Sequence, residues 1–182
     1  MDTQHSFEPG TSVIYGMHGK CAVVSIETRQ AGGESSIYYK LEMQKSPLSR
    51  SVRQEPAIWV PVASARERGL RSPLQTSEEA EAVYKITQSR EYYFQINEAW
   101  SVINPKLEAA IRNEGATGLA KVLSFVHVLK RKQVVASPEV NRLYETVSKL
   151  LIRELHDATN APTRDIEDRI AKGLRQKLIP SS

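Results

Sequence analysis

Hydrophobic and polar residues alternate with a period of two over the first third of the chain and with a helical period thereafter. Between Lys20 and Glu27, Ala22, Val24 and Ile26 alternate with Cys21, Val23, Ser25 and Glu27. Ile37, Tyr39, Leu41 and Met43 alternate with Tyr38, Lys40 and Glu42, and Ile58, Val60 and Val62 with Trp59 and Pro61. Together with the short run Val13-Ile14-Tyr15, this β-branched and aromatic alternation predicts four or five short strands. Pro9-Gly10, His18-Gly19 and Gly32-Gly33 fall between the runs, where turns need a fixed or positive φ. Closely spaced strands with tight turns predict a small, strongly bent sheet or barrel.

After Pro73 the period changes. Thr76-Ser77-Glu78-Glu79 is a capping-box pattern. Gly118 to Lys132 carries the stripe Leu119, Val122, Leu123, Val126 and Leu129, widened by Phe125 and Val128, which predicts a central buried helix. Ser137-Pro138-Glu139 opens another helix with Ser as cap and Pro at the first helical position. Its stripe is Val140, Leu143, Tyr144, Val147, Leu150 and Leu151. A last helix is expected over residues 163–178, with Ile166, Ile170 and Leu174 on one face. The fold class is therefore α+β: a β domain over residues 1–72, then a bundle of four or five helices over residues 73–182.

Composition narrows the chemistry more than the fold. The single cysteine, Cys21, rules out an internal disulfide framework and a multi-thiolate zinc site, and its place in an alternating strand predicts a buried small hydrophobe. His5, His18, His127 and His156 have no metal-ligand spacing, and no phosphate-binding loop is present. His127, within a dense apolar stripe, is expected to be packed and hydrogen-bonded. The carboxylates of the helices interleave with Lys and Arg, as in Glu108 and Arg112, which reads as a solvated face. No enzyme and no cofactor is expected. The longest apolar run, Val122 to Leu129, is broken by Ser124 and His127, far short of a membrane span. The polar start, Met1-Asp2-Thr3-Gln4-His5, argues against a secretory signal, so a cytoplasmic location is expected. The net charge of +4 splits evenly between residues 1–75 and 76–182. That permits a nucleic-acid partner without demanding one.

The order of signals in the first domain is more specific than any one of them. Phe7-x-Pro-Gly10 is followed by Val13-Ile14-Tyr15-x-x-His18-Gly19, by Val24-x-Ile26-Glu27 and by Tyr38-Tyr39-x-Leu41. Then come Val60-Pro61-Val62-x-x-Ala65 and Gly69-Leu70-Arg71. This array resembles the CarD/CdnL family of bacterial transcription regulators, whose N-terminal module also occurs in the transcription-repair coupling factor. The resemblance implies a Tudor-like β-barrel that binds the β subunit of RNA polymerase. It further implies a helical domain that contacts promoter DNA at the upstream edge of the transcription bubble, where a tryptophan wedges into the minor groove and slows bubble collapse. A regulator of this kind is nucleoid-associated through the polymerase and a monomer when free. The alternative is an adaptor that binds polymerase or another protein without touching DNA.

The resemblance also proposes residues. Arg29, at the end of the second strand, matches an arginine of the polymerase contact; its alternative is an ordinary exposed charge. Trp59 faces away from Ile58, Val60 and Val62, as a partner anchor or as packing against the helical domain. Trp100 matches the wedge tryptophan, against the alternative of a core tryptophan. The residues after it depart from the family, because Ser101-Val102-Ile103-Asn104-Pro105 intervene before the first positive charge, Lys106. Pro105 predicts a helix start at Asn104-Pro105 or a kink. Lys106, Lys130, Arg131 and Lys132 are the candidate phosphate contacts, although the last three also suit a helix C-terminus. His18-Gly19 is a turn, with His18 hydrogen-bonded inside it. The basic loop Lys45 to Pro56 is a further candidate contact.

Overall fold

The computed structural model describes residues 7–31, 33–44, 56–132 and 137–177. The chain divides into two compact units, Met1–Pro73 and Leu74–Ser182. The first is a five-stranded antiparallel sheet and the second is built of five helices.

The strands are β1 (Ser12–Tyr15), β2 (Gly19–Ala31), β3 (Glu34–Met43), β4 (Ile58–Pro61) and β5 (Leu70–Arg71), in the order β4-β3-β2-β1-β5. The expected barrel is not closed. Among the described residues β4 pairs with β3 and the two-residue β5 pairs with β1, so the sheet ends on two short edges. The expectation of short strands fails for β2 and β3, which have 13 and 10 residues.

A break of register between Val23 and Ser25 explains why simple alternation misassigns β2. Val24 is the extra residue and stands 41% exposed. Cys21 and Val23 point into the core before it and Ile26 packs on the core after it, so each alternating set contributes to the buried face. Tyr39, Leu41, Val60, Ala65 and Leu70 complete that core, with Val13 from β1. Cys21 is fully buried, its thiol donating to the Gly19 carbonyl at 3.7 Å. Gly19 takes φ 73°, an angle that favours glycine, and the ring of His18 lies stacked on Tyr15.

The helices are α1 (Ser77–Gln88), α2 (Trp100–Glu114), α3 (Ala116–Lys132), α4 (Pro138–Thr159) and α5 (Thr163–Arg175). Both predicted caps form. Thr76 accepts from the Glu79 amide while Glu79 accepts from the Thr76 amide, and Ser137 accepts from the Val140 amide ahead of Pro138. α3 is the central helix and packs against α1, α2 and α4. Its crossing with α2 is close because Gly118 has no side chain: a Cβ there would lie 2.1 Å from the Ala110 carbonyl oxygen. α5 is pinned to α1 by a bidentate Arg169–Glu81 pair at 2.7 and 2.6 Å, with the guanidinium over the Tyr84 ring. Asn160, in the left-handed region at φ 55°, ends α4 before Pro162.

The expected helix start at Asn104-Pro105 and the expected hydrogen bond of His127 are not found. α2 begins at Trp100 rather than at Asn104-Pro105 and runs through Pro105, which removes one hydrogen bond of the first turns without ending the helix. His127 packs beside Tyr144, but its Nε2 is buried without a hydrogen-bond partner among the described residues. No described helix is long and apolar enough to cross a membrane.

Candidate functional site

The outer face of the sheet unites two candidates that lie thirty positions apart in sequence. In the β2–β3 register Arg29 stands opposite Ser36, and in the β3–β4 register Trp59 stands opposite Lys40. Directly paired residues project to one side, so Arg29, Tyr38, Lys40 and Trp59 share the face away from the Tyr39–Leu41–Val60 core. The Arg29 guanidinium lies 4.0 Å from the Trp59 ring centroid, and the Lys40 ammonium 5.7 Å from it. A cation over an indole at a partly exposed site contributes about 0.5–1 kcal/mol. The result is a half-buried aromatic platform with two positive charges, set on an edge strand.

In the helical unit Lys106 and Lys132 bond the neighbouring residues Glu98 and Asn97, just ahead of Trp100. Trp100 forms the first turn of α2, half-buried against the bundle core. The Lys106 ammonium is held by both oxygens of Glu98, at 2.7 and 2.8 Å. At the end of α3, Lys130 lies over the Tyr144 ring at 4.3 Å, Arg131 donates to the Lys177 carbonyl at 3.2 Å and Lys132 donates to Asn97 Oδ1 at 3.0 Å. Arg131 and Lys132 remain exposed. Residues 45–55 of the basic loop lie outside the described residues. Among the described residues no group of three His, Cys, Asp or Glu side chains could hold a metal ion.

Residues 7–72 match the model of the CarD-like/TRCF RID domain. The N-terminal unit is a CarD-like module. Domains of this family are protein-interaction modules for the RNA polymerase β subunit, which sets the coarse class of the chain as transcription-related. No curated protein matches the chain. The platform of Arg29 and Trp59 lies within the CarD-like module, and the helical unit lies beyond the matched residues.

Sequence reasoning missed the segment between α1 and α2. Tyr92, Tyr93 and Phe94 line an open cleft of about 500 Å³ with Gln95, Ile96 and Asn97. It also missed Lys177, only 2% exposed, whose ammonium donates to the carbonyls of Ile86 and Glu91 at 3.2 and 3.3 Å. Burial lowers the pKa of that ammonium from 10.5 to about 8, with Glu91 opposing the shift. The aromatic run was the available signal for the first; nothing local marks a lysine near a C-terminus as buried.

Proposed function

We propose that this protein is a transcription regulator. Its CarD-like module binds the β subunit of RNA polymerase, and its helical unit contacts promoter DNA at the upstream edge of the bubble, changing the lifetime of the open complex. The reading is supported above all by the Arg29–Trp59 platform within the matched module. An edge strand offers backbone groups to a partner's strand, while an indole backed by a guanidinium supplies an anchor beside it. The DNA step falls to Trp100, whose flat apolar ring suits an unstacked base step, and to Arg131 and Lys132, which supply phosphate contacts. A charge of +4 is small for an autonomous DNA binder. It is adequate for a protein that the polymerase already holds beside the duplex, because tethering raises effective concentration. The role is one of binding, without catalysis.

The test is the lifetime of promoter open complexes with the unmodified protein and with Trp100→Ala. The reading expects Trp100→Ala to lose the effect on lifetime while polymerase binding is kept. An unchanged lifetime effect would remove the wedge.

The adaptor reading is favoured by one pair of observations: Trp100 packs against the core, and the positive charge nearest to it in sequence among the candidates, Lys106, is neutralised by Glu98. Titrating fork DNA into a Trp59→Phe background separates the two, because quenching of Trp100 fluorescence requires DNA at that ring.

A further inference from the structure

Glu98 and Lys106 bracket Trp100 at the start of α2. Glu98 stands two residues before the indole, and both of its oxygens accept from the Lys106 ammonium, at 2.7 and 2.8 Å. We infer that this ion pair is an autoinhibitory latch: the Glu98 carboxylate holds the place of a DNA phosphate at Lys106, and DNA displaces it when Trp100 engages. The inference rests on the DNA-contact reading and adds the regulation of that same site.

The surroundings suit an anion ahead of the helix. The first turn of α2 holds no acidic residue, and its cap, Ala99, makes no side-chain hydrogen bond, so the positive end of the helix favours a negative group in front of it. Asn97, the residue before Glu98, accepts from Lys132 at 3.0 Å, which brings a second ammonium to the same short segment. The carboxylates nearest in sequence are occupied elsewhere. Glu108 accepts from Asn104, and the charge of Glu91 acts on the Lys177 ammonium.

The pair is also weak enough to exchange. The Lys106 side chain is 52% exposed, and an ion pair at that exposure is screened by water and salt. A phosphate offers the ammonium an equivalent anion and releases a counterion from the DNA as it does so. In the free protein the latch lowers DNA affinity. Beside the polymerase, tethering raises the effective concentration of DNA and opens it. A pair that only stiffened the start of α2 would stay closed on DNA, and Lys106 would make no phosphate contact.

The experiment follows the anisotropy of a labelled promoter-fork DNA with the protein, residues 1–182, over a series of salt concentrations. Glu98→Gln should tighten binding by about 3-fold, the contribution of a surface ion pair. Lys106→Gln should lower the salt dependence by about one phosphate contact, and Lys106→Arg should keep it. In the Lys106→Gln background, Glu98→Gln should gain less than it does alone, because the latch is already gone. An equal gain would be general repulsion between Glu98 and DNA and would overturn the latch. So would unchanged or weaker binding by Glu98→Gln, or an unchanged salt dependence in Lys106→Gln. Trp100→Ala separates this failure from that of the DNA-contact reading. If it weakens fork binding while Glu98→Gln changes nothing, DNA contact stands and the latch falls. If neither the unmodified protein nor any variant binds the fork, the DNA-contact reading itself has failed, and the latch with it.

Discussion

Lys177 offers the sharpest physical test of the helical unit. Its ammonium is almost wholly buried, and that burial lowers its pKa from 10.5 to about 8. The unfolded chain therefore binds a proton that the folded chain releases, over the window from about pH 8 to pH 10.5. Stability rises with pH wherever the unfolded state holds more protons. Integrating that linkage from about pH 7 to about pH 9.5 gives a gain of about 2 kcal/mol from this one group. The fold tolerates the neutral form, because an uncharged amine keeps two N–H groups, enough for the carbonyls of Ile86 and Glu91. Other lysines and the tyrosines titrate in the same window, so the measurement is a difference. Urea unfolding of the unmodified protein and of Lys177→Met at both pH values cancels their contributions. The unmodified protein should gain about 2 kcal/mol relative to Lys177→Met between about pH 7 and pH 9.5. Parallel pH profiles for the two proteins would refute the buried, proton-releasing lysine.

Two further predictions concern α3. Gly118→Ala would gain about 1 kcal/mol of helix propensity in an open site. Here the added Cβ meets the Ala110 backbone carbonyl at 2.1 Å, so a net loss of about 3 kcal/mol is expected in urea unfolding; a variant as stable as the parent would mean that α2 and α3 do not cross there. His127 is held below the usual histidine pKa, first by burial and then by Arg131, Lys130 and Lys177. With the folded pKa below the unfolded value, stability should fall as pH drops below about 6.5, and His127→Gln should remove that slope in acid unfolding curves.

The elements with local signals were legible in the sequence. The Thr76–Glu79 box and the Ser137-Pro138 start satisfy orphan amides within one turn, so their chemistry is written in adjacent residues. The apolar stripe of α3 is wide because three other helices cover it, and the same width shows in the sequence. What depends on register or on distant chain segments was not legible. The Val24 bulge reverses the phase of β2 without any change in residue type. The meeting of Arg29 and Trp59 needs two strand registers to be known together. Lys106 reads as a free positive charge until Glu98, eight residues earlier, is seen to hold it. Of the expected bent sheet or barrel, the described residues form an open sheet whose last strand is only Leu70 and Arg71.

The central claim, that the CarD-like module carries the chain to RNA polymerase, is tested most directly by capturing the protein, residues 1–182, on an immobilised fragment of the polymerase β subunit. The unmodified protein should be retained, Arg29→Glu should abolish retention by reversing the charge over the indole, and Trp59→Ala should weaken it by about 10-fold or more. Failure of the unmodified protein to bind the fragment would contradict the account.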